Sequence, residues 1–349
     1  MIVSMQQAIE AQALTKRFRK LQTYRDLLLY PWQPADHLAV DQVSLRIERG
    51  ELFGLLGQNG AGKTTLIKML CTALLPTSGN ASVMGYDVVK QARQVRERIG
   101  LVNGEERSFY WRLTGRQNLE FFAALYHVPG ALAQRRIDDL VRRVGLSEDA
   151  DRPFRTYSSG MRQKLGIARG LLGAPQVLFM DEPTRSLDPI SAQSMRQLVA
   201  EYIIGELECT VILATHSMAE AEELCDRLAL VQHGRVVAEG TIAQLRTGLR
   251  AGVSCELRVR HMAPELPESL RRRAGILEVA TTRDDTSHLL HLTLSEEGPV
   301  LAGLLREVIE SGADIYSCAT RHVTLEEIYL HTLSGPGAPE QAAAEVTPC

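Results

Sequence analysis

The residues of this chain that could do chemistry begin with a glycine-rich segment, Gly57-Gln-Asn-Gly-Ala-Gly-Lys63-Thr64. A turn of this kind between a strand and a helix lets successive backbone N–H groups surround phosphate oxygens. Lys63 would then place a positive charge at the terminal phosphates, and the Thr64 hydroxyl would reach a magnesium ion. The predicted nucleotide-binding residues here are Gly57, Gln58, Asn59, Gly60, Ala61, Gly62, Lys63, Thr64 and Thr65.

Three further segments with functional side chains follow in a fixed order. They are Tyr157-Ser-Ser-Gly-Met-Arg-Gln163, then Val177-Leu-Phe-Met-Asp181-Glu182-Pro-Thr184, and last the single His216 after an apolar run. Asp181 and Glu182 are adjacent carboxylates directly after an apolar run. A lone histidine is more often structural than functional, so His216 gains meaning only from its place in this series.

Short apolar runs precede three of these segments and predict buried strands that position them. The runs are Glu51–Leu56, Val177–Met180 and Thr210–Ala214, and Thr65–Cys71 is predicted as the helix after the glycine-rich turn. Ligands of open α/β sheets bind beyond the carboxyl ends of the strands. The glycine-rich turn, the two carboxylates and His216 are therefore expected to meet at one edge of a sheet.

In this combination and order the segments resemble the ATP-binding subunit of an ABC transporter, from about Leu14 to Gly240. Many other P-loop enzymes carry the first segment alone, but not the whole series. The resemblance implies an α/β P-loop NTPase core with an antiparallel β-subdomain and a helical subdomain at about residues 104–172. The Tyr157–Met161 string and a closing helix at Thr324–Tyr329 are similar to those of the ABC-2 exporter group.

The resemblance also implies ATP and Mg²⁺ as cofactors and gives the motif residues their roles. Lys63 binds the terminal phosphates, while Thr64 and Asp181 hold the magnesium ion. Glu182 acts as the general base toward water, and His216 links the γ-phosphate to it. The alternative for Glu182 is a surface acid at the end of a strand.

Three further residues are implied to act between two copies of the chain. Ser159 and Gly160 would cap the nucleotide held by a second copy, at the start of the helix Met161–Gly170. Ser158 stands where glycine is usual, a departure that also occurs among export subunits. Asp188, before Pro189 at the start of another predicted helix, would couple the two sites.

An aromatic residue at the end of the first strand is expected to stack on adenine, and Phe18 is the candidate. An insertion follows it directly, so Phe18 as an ordinary core residue stays open. The alternatives for stacking are Tyr24, Tyr30 and Trp32 within that insertion.

The chain departs from the family after the predicted strand Ile99–Val102. The family places a glutamine there, which contacts magnesium and the attacking water, whereas this chain reads Asn103-Gly-Glu-Glu-Arg-Ser108. Glu105 is the candidate substitute as a metal ligand. A solvated acidic loop is the other reading that stays open.

Composition limits the function classes. The chain has 349 residues, a net charge of -3 and a pI near 6.3, so it lacks the basic field that binds nucleic acid. Its six cysteines show no CxxC pair, which favours buried thiols over a metal site. No apolar run is long enough to span a membrane, and no signal-peptide profile opens the chain. Transport would therefore need a separate membrane permease.

Three regions are predicted along the chain. Residues 1–243 form the ATP-binding domain, and residues 244–333 form a small α+β accessory domain. Its strand and helix order, βαββαβ, suggests a ferredoxin-like fold. Residues 334–349 are rich in Pro, Gly and Ala and are expected to be a disordered tail.

The expected function is ATP hydrolysis that drives an ABC exporter from the inner, cytoplasmic face of the cell membrane. The expected partners are the permease and a second ATPase subunit, identical or paired, with no nucleic acid and no direct contact to the cargo. An importer subunit is the alternative within transport. A non-transport ABC ATPase acting on ribosomes or DNA is the second class, which the absence of a second nucleotide domain and of long coiled coils disfavours.

Overall fold

The computed structural model describes residues 7–19, 36–103, 108–185, 187–248, 253–284, 287–295, 298–321, 324–326 and 328–329. Contacts between Cα atoms divide the chain into two compact units, Met1–Glu239 and Gly240–Cys349. No helix within the described ranges is long and apolar enough to cross a membrane.

The strands are β1 (Gln7–Arg19), β2 (Asp36–Glu48), β3 (Leu52–Leu56), β4 (Ser78–Val83), β5 (Tyr86–Asp87), β6 (Ile99–Asn103), β7 (Val177–Asp181), β8 (Thr210–Thr215), β9 (Arg227–Gln232), β10 (Arg235–Gly240), β11 (Val253–Arg260), β12 (Ile276–Asp284), β13 (Ser287–Leu294) and β14 (Asp314–Arg321). The helices are α1 (Lys63–Leu70), α2 (Ala92–Arg96), α3 (Gly115–Leu125), α4 (Gly130–Arg143), α5 (Ser159–Leu171), α6 (Pro189–Gln197), α7 (Met218–Leu224), α8 (Ile242–Gly248), α9 (Leu266–Arg272) and α10 (Gly298–Glu310). A 3₁₀ turn covers Phe154–Thr156, and a π-helix, Leu198–Glu206, continues α6.

The central element of the first unit is a six-stranded sheet in the order β10-β9-β3-β8-β7-β6. Its strands β9, β3, β8, β7 and β6 pair in parallel, with β6 at one edge of the sheet. Every residue of β3 and β8 is buried, as expected for strands covered on both faces. The apolar runs that predicted β3, β7 and β8 are confirmed as strands.

A second sheet, in the order β2-β1-β4-β5, is antiparallel throughout and forms the predicted β-subdomain. Its apolar face shares one core with the central sheet and α1. Ile9, Leu14 and Ile47 are completely buried there, together with Phe53 of β3. This core fixes the antiparallel sheet beside the start of α1.

Strands β9 and β10 form a hairpin at one edge of the central sheet. Its two turn residues, His233 and Gly234, have φ angles of 47° and 79°, the left-handed pair that a two-residue hairpin turn requires. The Gly234 N–H donates to the Ala61 carbonyl at 2.9 Å, and the Gly234 carbonyl accepts from the Asp41 N–H at 2.8 Å. The turn therefore supports the glycine-rich loop from behind.

The helical region contains α3, α4 and α5, which confirms the helical periodicity predicted within residues 104–172. Thr114 caps α3: its hydroxyl accepts from the Gln117 N–H, and the Gln117 side chain accepts from the Thr114 N–H. Residues Leu119 and Phe122 of α3 are buried beneath an outer face that carries exposed aromatic side chains.

The second unit contains a four-stranded antiparallel sheet in the order β12-β13-β11-β14. With α9 and α10 its chain order is βαββαβ, the ferredoxin-like order expected from the sequence. Alternate residues of β11, namely Cys255, Leu257 and Val259, are fully buried in its own core. The predicted tail at residues 334–349 lies outside the described ranges.

Candidate functional site

The glycine-rich loop runs from the end of β3 at Leu56 to the start of α1 at Lys63, as the sequence predicted. Two of its glycines are required by close backbone contacts. A Cβ atom on Gly57 would lie 2.3 Å from the Val231 carbonyl oxygen, and one on Gly62, at φ 107°, would lie 2.4 Å from that of Ala39. No side chain caps the start of α1, so its first N–H groups point free into the loop. This is the arrangement that binds phosphate.

Lys63 is buried within this loop, with only 4% of its surface exposed. Its Nζ donates to the carbonyl oxygens of Gly57, at 2.6 Å, and Gln58, at 3.0 Å. Burial lowers the pKa of Lys63, and the negative charges of Glu182 and Asp181 oppose that shift. The ammonium group therefore lies between the loop and two carboxylates, where a phosphate chain would need its charge.

Asp181 ends β7, and its carboxylate accepts a hydrogen bond from the Thr64 hydroxyl. Burial raises the pKa of Asp181, although that hydrogen bond and the charge of Lys63 act in the opposite direction. Its Oδ1 atom is buried and has no hydrogen-bond partner among the described residues. A hydroxyl beside an unpartnered carboxylate oxygen is a donor set that fits Mg²⁺.

Glu182 and His216 come together across the ends of two neighbouring strands, β7 and β8. The His216 Nδ1 lies 3.2 Å from Glu182 Oε1. Glu182 adopts a left-handed backbone with φ 51°, and its N–H donates to the Ala214 carbonyl at 2.8 Å. Its second oxygen, Oε2, lies 3.3 Å from the Arg185 guanidinium but makes no hydrogen bond among the described residues. Glu182 Oε2 therefore has an ion-pair contact with Arg185 but no hydrogen bond within the described part of the chain.

A cavity of about 750 Å³ lies in front of these groups. Its lining includes Asn59, Gly60, Thr64, Ser159, Gln163, Asp181 and Glu182. Gln163 is 9% exposed, and its Nε2 has no hydrogen-bond partner in the described part of the chain. The cavity is therefore bordered by three residues that each have a buried polar atom without a hydrogen-bond partner among the described residues, namely Gln163, Asp181 and Glu182. Buried polar groups in this state indicate a site that a ligand completes.

A smaller adjoining cavity of about 200 Å³ contains Phe18. It is lined by Phe18, His37, Ala39, the loop residues Asn59, Gly60, Ala61, Gly62, Lys63, Thr64 and Thr65, and Glu182. The Phe18 ring is 39% exposed, with the Lys16 Nζ 5.2 Å from its centre. Stacking of Phe18 on adenine stays a prediction, and the alternatives Tyr24, Tyr30 and Trp32 lie outside the described residues.

The turn before α5 packs against the turn before α6. Ser158, rather than Ser159, is the N-cap of α5 and accepts from the Met161 N–H. A Cβ atom on Gly160 would lie 3.1 Å from the Ser191 hydroxyl, which donates to Asp188 at 2.6 Å. That hydrogen bond holds the pKa of Asp188 below its usual value. The roles of Ser159, Gly160 and Asp188 toward a second copy stay predictions.

Glu105 lies outside the described residues, and its proposed contact with magnesium stays untested. The residues on either side of Glu105 that the structure describes, Asn103 and Ser108, both contact Arg169. The sequence analysis did not identify Arg169 as a functional residue. Its guanidinium donates to the Ser108 hydroxyl and, at 3.3 Å, to the Leu101 carbonyl and the Asn103 side chain. Burial lowers the pKa of Arg169, which is 7% exposed.

Glu220 is a second residue that sequence reasoning missed. It lies on α7, is 2% exposed, and accepts hydrogen bonds from the hydroxyls of Thr184 and Thr215. The spacing Ser217-x-x-Glu220 was the available signal, because it matches a capping pattern. The Ser217 hydroxyl does accept from the Glu220 N–H, but the Glu220 side chain turns away to the threonines.

The site combines a glycine-rich loop with its lysine, a Thr–Asp pair, and a Glu–His pair at the carboxyl edge of a parallel sheet. These features define a P-loop ATPase. Residues 40–185 match the family model described as "ABC transporter". The chain is 37% identical over 316 residues to the daunorubicin resistance ATP-binding protein DrrA3 of Streptomyces coeruleorubidus, covering 88% of this chain and 95% of that protein. It is 35% identical over 309 residues to the doxorubicin resistance ATP-binding protein DrrA of Mycobacterium tuberculosis, covering 86% and 89%.

Among solved structures, cbiO1 from Clostridium perfringens, part of the ABC transporter complex cbiONQ, matches with a TM-score of 0.58 and 26% identity. The match covers 70% of this chain and 95% of that one. The chain belongs to the ATP-binding subunits of ABC transporters, in the ABC-2 exporter group. It is an ATPase, and the exporter assignment is supported over the importer alternative.

Proposed function

We propose that this chain hydrolyses Mg²⁺-ATP in a dimer with two nucleotides at its interface and so powers an exporter through a separate membrane permease. The observation that carries the proposal is the convergence of Lys63, Thr64, Asp181, Glu182 and His216 at one sheet edge. Their neighbouring elements bring together groups that lie up to 153 positions apart in the sequence, from 63 to 216. No structural role in the fold explains why these five side chains lie together.

The residues around Asp181 fit a magnesium ion, which would supply charge neutralisation at the terminal phosphates. Thr64 and Asp181 would hold it, and Glu105 is a further proposed ligand. Lys63 would bind the phosphates from the loop side. Because Lys63 and Asp181 are both largely buried, their charges would act on the phosphates with little screening by water.

Glu182 would accept the proton of the attacking water at Oε2, which makes no hydrogen bond among the described residues, since Oε1 faces His216. The Arg185 guanidinium, 3.3 Å from Oε2, would favour the charged carboxylate before this transfer. His216 would hold the carboxylate in position through Nδ1 and keep its second ring nitrogen for the γ-phosphate. Glu182 holds a left-handed backbone with φ 51°, which is unfavourable for a non-glycine residue. Strain of this kind persists only where the surroundings enforce it, as they do at functional sites.

The proposed dimer would place Ser159 and Gly160 on the nucleotide of the second copy. The contact between Gly160 and Ser191 supports this, because it joins the turn before α5 to Asp188, the residue expected to couple the sites. The permease is proposed to dock on an aromatic patch that we define as Tyr110, Trp111, Phe121 and Tyr126, each between 40% and 50% exposed. Such a patch on a monomer indicates an interaction surface. Docking there would hold the subunit at the inner face of the membrane.

The test is to express the chain together with a candidate ABC-2 exporter permease and to purify the permease in detergent. We expect the chain to co-purify and its ATPase activity to rise, with both effects reduced by the double variant Trp111→Ala and Tyr110→Ala. The matched control is Leu75→Ala, which removes an apolar side chain that is 64% exposed elsewhere on the same unit. Co-sedimentation with ribosomes instead of the permease would contradict the transport role.

A further inference from the structure

Glu220 joins the two strand ends that carry the reacting side chains. Its Oε1 accepts from the Thr184 hydroxyl at 2.9 Å, and its Oε2 accepts from the Thr215 hydroxyl. Thr184 stands two residues after Glu182, and Thr215 stands directly before His216. One buried carboxylate therefore connects the chain segment of the general base to that of the histidine.

The Thr215 hydroxyl extends this connection into the turn that follows His216. It accepts a hydrogen bond from the Ser217 N–H at 3.0 Å while donating to Glu220. Ser217 in turn caps α7, the helix that carries Glu220. The backbone on both sides of His216 is thus fixed by the same small network.

The other arm of the network acts on the strained turn at Glu182. A glutamate at φ 51° is unfavourable by itself and must be held by its neighbours. The Arg185 N–H donates to the Glu182 carbonyl, and the Leu187 N–H donates to the Thr184 carbonyl. The Thr184 side chain then anchors this turn to Glu220, so that the turn cannot open without breaking a buried hydrogen bond.

We propose that Glu220 is a positioning residue that sets the Glu182–His216 distance through Thr184 and Thr215. The proposal rests on the ATPase function given above and extends it to a residue that touches no reacting atom. A buried carboxylate is costly in a folded protein unless it is hydrogen-bonded. Its two hydroxyl donors and the charge of Arg196 offset part of that cost, and burial still raises the pKa of Glu220.

The geometry makes each member of the network separately testable. Thr184→Val and Thr215→Val keep the side chain shape and remove only the hydroxyl, and Glu220→Gln keeps the shape and one carbonyl acceptor. Glu220→Leu removes both acceptors. The matched control is Glu206→Gln, which breaks an exposed ion pair with Arg143 at 2.7 Å and leaves Glu220, Arg196 and the threonines untouched.

The measurements are kcat, KM for ATP, nucleotide affinity and melting temperature for each purified full-length variant. We expect Thr215→Val to lower kcat roughly tenfold to a hundredfold, because a small displacement of reacting groups has effects of that size. KM and nucleotide affinity should stay within about twofold, because the phosphate-binding loop is unchanged. Glu220→Gln should retain more activity than Glu220→Leu. The double variant Glu220→Leu with Thr215→Val should be no worse than Glu220→Leu alone, the mark of a shared network.

The control should hydrolyse ATP at the wild-type rate. Losses in kcat that only follow the fraction of folded protein, or that multiply in the double variant, would overturn the positioning role. If Glu220→Leu fails to fold, the two valine variants still decide the question. An inactive wild-type protein would instead refute the proposed function, whereas an active wild type with fully active valine variants would refute this inference alone.

Discussion

At the scale of single residues, Lys63 is the group on which nucleotide binding depends most directly. Its Nζ bonds to two loop carbonyls and faces two carboxylates. Lys63→Ala should lower ATP affinity about tenfold to a hundredfold, the value of a charge-assisted hydrogen bond. Titration with a fluorescent ATP analogue measures this. Lys90→Ala, which removes an exposed lysine away from the site, serves as the control. Wild-type affinity in Lys63→Ala would refute the assignment of the loop.

Gln163 offers a second prediction at this scale, because function and stability should respond in opposite directions. Its buried Nε2 lacks a partner among the described residues, so Gln163→Leu should leave the free energy of unfolding unchanged or raise it by about 1 kcal/mol. The same change should lower ATPase activity if the amide faces bound nucleotide or water. Urea unfolding and a steady-state assay measure the two effects.

The exposed Gln94 on α2 supplies the control for this prediction, and Gln94→Leu should alter neither quantity appreciably. If Gln163→Leu were strongly destabilised, the amide would have a structural partner, and its orientation toward the cavity would be wrong.

At the scale of elements, Asn118 connects α3 to Tyr110 of the aromatic patch. This residue is fully buried, accepts from the Tyr110 N–H at 2.8 Å, and donates to the carbonyls of Tyr110 and Thr114. Asn118→Leu removes all three hydrogen bonds, and the Tyr110 N–H loses its side-chain acceptor. We expect a loss of about 2–4 kcal/mol in the free energy of unfolding, measured by urea denaturation.

Thr114→Ser provides the comparison, since it keeps the hydroxyl that caps α3 and should cost far less. An unchanged free energy of unfolding in Asn118→Leu would show that Tyr110 finds other partners. The same variant should weaken permease binding, because the patch residues Tyr110 and Trp111 would lose their fixed backbone.

The elements that position the phosphate and the carboxylates could be predicted from the sequence because their signals are local. A continuous apolar run ending in a functional residue suffices to predict β3, β7 or β8, and a Pro after Asp188 predicts the start of α6. The π-helix at Leu198–Glu206 has no comparable local signal.

Side chains that act through distant partners could not be predicted in this way. Glu220 and Thr184 are 36 positions apart, and Arg169 and Leu101 are 68 apart, so neither pair forms a motif along the chain. The residue types of Glu220 and Arg169 also do not predict burial, since a glutamate or arginine on a helix is usually exposed to solvent. Phe18, the candidate for stacking on adenine, lies beside the glycine-rich loop. The alternative aromatic residues and Glu105 lie outside the described residues.

At the scale of the whole molecule, the cavity in one copy is lined by Asp181 and Glu182. Each has one carboxylate oxygen that makes no hydrogen bond among the described residues. The proposed dimer would close this site with Ser159 and Gly160 of the second copy. Assembly should then depend on bound nucleotide, because the γ-phosphate would be shared between the two surfaces. Hydrolysis removes that shared group, and the dimer should reopen.

Glu182→Gln should therefore trap the dimer. The amide keeps the size of the side chain but cannot take a proton from water, so ATP binds and persists. The 38.6 kDa chain should elute at about twice its mass on gel filtration with ATP and Mg²⁺, and as a monomer after the metal is chelated. The double variant Glu182→Gln with Lys63→Ala is the control and should remain monomeric, because it loses the phosphate-binding cation. A Glu182→Gln protein that stays monomeric with full ATPase activity would contradict both the base and the nucleotide-dependent dimer.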